Sequence, residues 1–197
     1  MSGLESIFKV IKLTNDFRRV RRTINVVGEN RLENDSEHSY QLAILAWYLI
    51  ESNGWSLDKD LAIKYCLIHD LTEVYAGDVD PHTANRQEKE AKALREAEAA
   101  KMIEERLPEC PSISMLIQQY EKKEDPESKF VYALDKIQPI LNVFLDSGDY
   151  YHKYNVTFEK WFDYNRDKIS VSPEVTVYFE ELVKFLKTRK ELFAPED

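Results

Sequence analysis

Through most of its 197 residues the chain repeats apolar side chains at three- and four-residue spacing, and strand-like alternation bounded by turns is scarce. Leu4, Ile7, Phe8 and Ile11 place an amphipathic helix over 4–15. A basic stretch at 18–22 follows, then an irregular connection marked by Gly28, Asn30 and Asn34. Asp35 or Ser36 is the expected cap of a second helix running to about residue 52. Leu42, Ile44, Leu45, Trp47 and Leu49 make that helix apolar nearly all round, which predicts a central position. Asn53-Gly54 ends it, and Asp58 starts a third helix that reaches His69-Asp70. Residues 73–81 read as a loop or a short broken helix. A Glu- and Lys-rich helix covers 86–106, Pro108 and Pro111 punctuate, and further helices are expected at 112–123, 127–146, 155–168 and 174–190. The predicted fold class is all-α, a single compact helical domain over 1–197.

Composition narrows the function more than the fold. Hydrophobic residues make up 43% and charged residues 32%, with only 5 Gly, as in a globular helical protein. A net charge of −9 disfavours nucleic acid and anionic membranes as partners, since both require positive surface potential. The longest apolar run, 42–50, is far short of a membrane span, and charges interrupt the apolar N-terminal stretch, so neither a span nor a secretory signal is expected. Cys66 and Cys110 form no Cys-x-x-Cys and point to a reducing, cytoplasmic setting.

Chemistry concentrates at a few polar residues on apolar segments. His69-Asp70 ends the apolar run 61–68, and if the turn stays helical Glu73 projects from the same side. His38 lies in the first turn of the second helix, beside the face of Leu42 and Leu45. Asp135 falls on a stripe with Val131, Leu134, Gln138 and Leu141, where a carboxylate needs a metal or an ion pair. Pro139 sits four residues on, where its ring meets the Asp135 carbonyl and predicts a kink. Each residue also has a plainer reading. A lone helical histidine can be a core group bonded to a carbonyl, and Asp135 can pair with Lys136 or an arginine. Two imidazoles and two carboxylates are nonetheless the donor set for one divalent transition ion: Mn, Co, Fe, Ni or Zn. Arg19, Arg21, Arg22 and Arg31 flank the first histidine and suit phosphate. His82 and His152 are expected at the surface, and Tyr150, Tyr151, Tyr154, Phe158, Trp161 and Phe162 in core packing.

Taken together, "RVRRT", "RLENDSEH", "SEHS" around His38, "HDLTEVYAGDVDP" over 69–81, "QYEKKEDPESKF" and "KFVYALDKIQPIL" around Asp135 resemble the HD-domain phosphohydrolases. The similarity is greatest to the bacterial 5′-deoxynucleotidase type and its eukaryotic HD-domain-containing relatives, from about residue 19 to 149. The resemblance implies a metal held by His38, His69, Asp70 and Asp135. It also implies roles in catalysis or substrate positioning for Glu73 and Asp78, and a phosphate-orienting role for Arg22. Further substrate contacts carried over are Thr23, His38, Val79, Asp80, Pro81 and Asp135. The bacterial form has Arg-Trp where this chain has Arg22-Thr23, a departure that bears on the sugar and base contacts rather than on the phosphate. Family members are all-helical and commonly dimeric, so a homodimer is expected.

The expected reaction is hydrolysis of a deoxyribonucleoside 5′-monophosphate, a small-molecule nucleotide, to deoxyribonucleoside and phosphate. The metal would act as Lewis acid and acidify a water, Glu73 would move the proton, and Arg22 would offset phosphoryl charge. Asp78 would fix a sugar hydroxyl. A triphosphohydrolase, a cyclic-nucleotide phosphodiesterase and a non-catalytic nucleotide-binding module are the alternatives on the same residues.

Overall fold

The computed structural model describes residues 3–77, 86–146 and 149–195. In chain order the elements are α1 (Gly3–Phe17), β1 (Arg21–Asn25), β2 (Leu32–Asn34), α2 (Asp35–Asn53), α3 (Lys59–Ile68), α4 (Glu73–Ala76), α5 (Arg86–Arg106), α6 (Pro111–Lys122), α7 (Pro126–Leu145), α8 (Asp149–Lys153), α9 (Phe158–Ile169) and α10 (Pro173–Leu186), then a 3₁₀ turn at Lys190–Leu192. Among the described residues the fold is all-α but for one two-stranded hairpin.

α7 is the element around which the others gather. It packs against α2, α3, α6, α9, α10 and β1. It can do so because Phe130, Val131, Ala133, Leu134, Ile137, Ile140 and Val143 bury nearly its whole circumference. Each such aliphatic or aromatic side chain contributes about 1.5–3 kcal/mol on leaving water. Asp125 caps the helix by accepting from the Ser128 amide at 2.7 Å, with Pro126 at its first position. The helix continues unbroken past Pro139.

The central role predicted for α2 belongs to α7 instead. α2 buries Leu42, Ala43, Ala46 and Ile50 against α3 and α7, but leaves Tyr40, Ile44, Trp47 and Tyr48 exposed on its other side. A helix packed on one side cannot bury residues spaced right round it, whatever their hydropathy. α1 behaves likewise: Leu13 and Phe17 near its C-terminal end are buried, whereas Leu4, Ile7, Phe8 and Ile11 face outward.

Residues 21–34 were expected to be irregular and form the antiparallel hairpin, with Arg21 opposite Asn34 and Asn25 opposite Leu32 and a register irregularity between. Its strands are short and largely polar, so they carry no apolar alternation to read. The turn uses Gly28 at φ 77°, a conformation glycine adopts without strain. The hairpin ends in Asn34, which caps α2 in place of the expected Asp35 or Ser36. Its side chain accepts from the Ser36 and Glu37 amides at 3.0 and 3.1 Å, and Glu37 accepts from the Asn34 amide at 3.1 Å. Gly54, at φ 64°, closes the other end of α2.

The aromatic group pairs largely within the core: Tyr151 stacks on Phe193 at 4.9 Å, and Trp161 packs between Phe158 and Phe179. Tyr150 and Tyr151 lie on the short α8, a helix that the sequence pattern does not predict. Among the described residues no helix is long and apolar enough to cross a membrane. Because the Asn34 cap seats the turn that carries His38, Asn34→Ala should lower stability by about 1 kcal/mol, within roughly 0.5–2. Urea denaturation monitored by far-UV circular dichroism checks this, and an unchanged midpoint contradicts it.

Candidate metal centre

Four elements bring the predicted residues together. His38 comes from the first turn of α2, His69 from the C-terminal cap of α3 with Asp70 directly after it, Glu73 from the first position of α4, and Asp135 from the middle of α7. His38 Nε2 lies 3.2 Å from His69 Nε2 and 3.0 Å from Asp135 Oδ1, and His69 Nε2 lies 3.8 Å from that oxygen. Asp70 Oδ2 is 3.1 Å from His69 Nε2 and 3.9 Å from His38 Nε2. The two histidines and Asp135 form one cluster whose donor atoms all lie within 4.8 Å, and all three are buried. Asp70 belongs to a second such cluster, with Asp35 and Glu73, and so stands between the two.

The other face of each imidazole decides what this convergence can hold. His38 Nδ1 meets Gln138 Oε1 at 2.8 Å, and His69 Nδ1 meets the Cys66 carbonyl at 2.9 Å. Gln138 is oriented by its own bond: its amide nitrogen donates to Gln41 Oε1, which also accepts from Asn142 Nδ2 at 2.8 Å. With acceptors behind both rings, each Nδ1 carries a proton; His38 Nε2 directs a lone pair inward, and His69 Nε2 does so once the proton that Asp70 favours there has left. In His38 that lone pair faces Asp135 Oδ1 across 3.0 Å, acceptor against acceptor. Only a cation between them, a proton or a metal ion, relieves the repulsion. The donor set of two imidazole nitrogens and carboxylate oxygens therefore fits a divalent transition ion.

The charge balance agrees. Glu33, Asp35, Asp70, Glu73 and Asp135 bring five carboxylates to this region, and Arg22 and Lys136 offset two of them. Arg22 donates to Asp70 Oδ2 at 3.0 Å and lies 3.4 Å from Glu33 and 3.7 Å from Asp35. Lys136 Nζ sits 2.5 Å from Asp135 Oδ2. Both readings of Asp135 thus hold together, one oxygen pairing with Lys136 and the other facing the histidines. Burial opposes ionisation of Asp135, but Lys136 and then His38 hold its carboxyl well below the usual range. Burial likewise opposes Asp70, which His69 and Arg22 keep ionised. Burial pushes Glu33 up to about 7 against the pull of Arg22. His38 is driven down to about 4 by burial, with Arg22 adding to it. His69 is also opposed by burial, yet Asp70 beside it raises it above its ordinary 6.5.

Of the four arginines expected to face phosphate, the structure brings only Arg22 to the cluster. Arg19 is exposed and pairs with Asp16, Arg21 is exposed, and Arg31 grips Glu37 through two bonds of 2.8 and 2.9 Å while also contacting Glu29. β-strand alternation turns Arg22 inward while Arg21 stays out. Thr23 and Asp135 line, with Arg22, a cavity of about 100 Å³ beside the cluster. His152 bonds the Glu191 carbonyl at the surface. Asp78, Val79, Asp80, Pro81 and His82 lie outside the described residues. Reading the sequence did not find Glu33, Asp35, Gln41 or Asn142. Glu33 and Asp35 belong to a polar stretch that looks like ordinary turn surface and are buried only by the fold, and the amides of exposed Gln41 and buried Asn142 gain a part only through their bonds to Gln138 and each other.

An HD domain family model matches residues 14–176. Human "5′-deoxynucleotidase HDDC2" is 32% identical over 183 residues, covering 91% of this chain and 86% of that protein. "5′-deoxynucleotidase hdd1" of Schizosaccharomyces pombe is 31% identical over 134 residues, 65% of this chain and 63% of that one. Among solved structures, a "predicted metal-dependent phosphohydrolase" from Magnetospirillum magnetotacticum MS-1 superposes with a TM-score of 0.83 at 29% identity, covering 98% of this chain and 97% of that one.

The protonation pattern sets how a metal should bind. Neutral at Nε2 above about 4, His38 competes little with a metal, whereas His69 holds a proton up to a pH above 6.5 that the metal must displace. Apparent Mn²⁺ affinity, measured by calorimetry from pH 5.5 to 8, should fall about tenfold per pH unit below the His69 value and level off above it. A pH-independent affinity contradicts this assignment.

Proposed function

Since this chain belongs to the HD-domain family, we infer that it is a divalent-metal-dependent phosphomonoesterase that hydrolyses deoxyribonucleoside 5′-monophosphates to deoxyribonucleoside and phosphate. The observation that carries this reading is the meeting of the two imidazoles with each other and with Asp70 and Asp135, His38 Nε2 lying 3.2 Å from His69 Nε2, 3.0 Å from Asp135 and 3.9 Å from Asp70, with Arg22 bonded to Asp70 beside them. The names of the relatives supply the substrate class.

We assign the metal to His38, His69, Asp70 and Asp135, a set that suits Mn, Co, Fe, Ni or Zn. When bound, the ion supplies Lewis-acid stabilisation of phosphoryl charge and a more acidic water. Arg22 lines the cavity beside Asp135, where its planar guanidinium can hold two phosphoryl oxygens. Its carboxylate partners, Glu33, Asp35 and Asp70, hold it there. Glu73 is buried next to Asp70 and Asp35 and carries the proton that moves as the P–O5′ bond breaks and a new P–O bond forms from water. Gln138 and the Cys66 carbonyl keep the imidazoles turned inward. Thr23, which lines the cavity, and His38, among the metal donors, are assigned to substrate contact by family resemblance. Asp78, with Val79, Asp80 and Pro81, is assigned to the sugar by family resemblance.

We read residues 1–197 as one HD-type domain, acting as a cytoplasmic homodimer on a small nucleotide, with neither nucleic acid nor membrane as partner. The exposed Tyr40, Ile44, Trp47 and Tyr48 on α2 support a self-contact, the free Cys66 and Cys110 support a reducing compartment, and the net charge of −9 supports the last point.

Purified protein incubated with each of these metals and a panel of nucleotides should release phosphate from deoxyribonucleoside 5′-monophosphates. Absence of phosphate from every monophosphate, with metal bound, overturns the reading, and triphosphate or pyrophosphate as product selects another. Glu73→Gln should lower kcat by roughly 10²–10⁴-fold while metal content stays unchanged. Full activity in that variant removes Glu73 from the chemistry.

A further inference from the structure

The cavity beside the metal cluster does not end at Arg22. A second cavity, of about 120 Å³, lies beyond the first, and Thr23, Ile24, Val143 and Tyr150 line both. β1 forms one wall of each: Arg22, Thr23 and Ile24 border the inner space, and Thr23, Ile24 and Asn25 the outer one. From residue 22 to 25 an extended strand advances about 10 Å. Facing it across the join is α8, which contributes Tyr150 to both spaces and Lys153 to the outer one, with Tyr154 just after the helix. Their four shared lining residues make the two cavities neighbouring parts of one groove that begins at Arg22 and Asp135 and leads away from them.

The lining changes along that groove. Inside, Arg22, Lys136 and Asp135 are charged. At the join, Ile24 and Val143 are buried aliphatic residues beside the partly exposed ring of Tyr150, which is braced by Tyr151 at 5.4 Å and Tyr154 at 4.8 Å between ring centres. At the outer mouth Asn25, Asp146 and Lys153 form a polar rim. Charged, then apolar and aromatic, then polar is the order in which a nucleoside monophosphate presents a phosphate, the faces of its sugar and base, and the hydrogen-bonding edge of the base.

We propose that the two cavities are one nucleoside groove and that Tyr150 is the platform on which the base stacks, fixing how the 5′ phosphate is presented to Arg22 and the metal cluster. This rests on the phosphomonoesterase reading for what happens at the inner end, but the groove binds a nucleoside whether or not phosphate is released. Base–aromatic stacking tolerates any base, because each has a π-face. Tyr150 therefore separates nucleotides from phosphate esters without a base and selects weakly among bases.

The test compares Tyr150→Ala, Tyr150→Leu and Tyr150→Phe with the unaltered chain in the Mn²⁺-loaded protein. The first readout is kcat/KM for deoxyadenosine 5′-monophosphate and for deoxyribose 5-phosphate, which lacks the base. Tyr150→Ala and Tyr150→Leu should raise KM for the nucleotide roughly ten- to hundredfold and leave the sugar phosphate unchanged, while Tyr150→Phe should match the unaltered chain. An equal loss on both substrates, or on neither, overturns the proposal, the equal loss marking a merely structural role. The second readout is equilibrium binding of deoxyadenosine, which carries no phosphate. It should weaken by the same factor in the Ala and Leu variants and hold in Phe. No difference among the variants overturns the proposal even if no phosphomonoester is hydrolysed, whereas loss of binding without any hydrolysis sustains the groove and overturns only the phosphomonoesterase reading.

Discussion

Buried among the helices, His38 Nε2 and Asp135 Oδ1 stand 3.0 Å apart with His69 Nε2 3.2 Å from the same imidazole nitrogen. Both Nδ1 protons are already spent on outer acceptors and Asp135 is ionised, so once His69 Nε2 has lost its proton the three repel one another unless a cation lies between. Every polar arrangement nearby serves to keep them in that state. Gln138 and the Cys66 carbonyl take the Nδ1 protons, Gln41 and Asn142 orient Gln138, and Lys136 and Arg22 keep the two aspartates ionised. An arrangement of this kind is unfavourable by itself, and removing one member leaves a buried charge without its partner. Its persistence is understood once a divalent ion is part of the folded protein.

Hydrophobic packing supplies what the polar groups oppose. The side chains that surround α7 hold Asp135 at its mid-length, the Asn34 cap seats the first turn of α2 with His38, and the end of α3 delivers His69 and Asp70. The hairpin does two tasks: it ends in that cap, and it turns Arg22 toward Asp70 while Arg21 remains outside. A chain with net charge −9 concentrates its functional positive charge at two positions, Arg22 and Lys136, each bonded to one of the aspartates assigned to the metal. Attraction of an anionic substrate is thereby local, made by a guanidinium and the ion and not by the surface as a whole.

Helices were legible in the sequence because helical periodicity survives in single segments: α3, α5, α6, α7, α9 and α10 lie within a few residues of where apolar spacing and caps put them. Which helix is central was not legible. Ile44 and Trp47 on α2 are as apolar as Ile137 and Ile140 on α7, and only the tertiary arrangement decides that the first pair faces water and the second does not. The hairpin escaped for another reason, since Arg-Arg-Thr-Ile-Asn carries no alternating pattern. Within the site, His38, His69, Asp70 and Asp135 could be read from charge placed on apolar segments, helped by their match to a known family. Glu33 and Asp35 could not, because they sit in a polar stretch whose burial is created by contacts between elements distant in sequence, and Gln41 and Asn142 could not, because their part is a bond across two helices about a hundred residues apart. Asp78 to Pro81 fall outside the described residues, so their part in the site rests on resemblance.

The most direct measurement is anomalous diffraction from crystals of the Mn²⁺-loaded protein. The account predicts one strong anomalous peak per chain, about 2.0–2.3 Å from His38 Nε2, His69 Nε2 and an oxygen each of Asp70 and Asp135, and loss of that peak in Asp135→Asn. A peak elsewhere, or none at saturating Mn²⁺ with the two imidazoles still 3.2 Å apart, would contradict it.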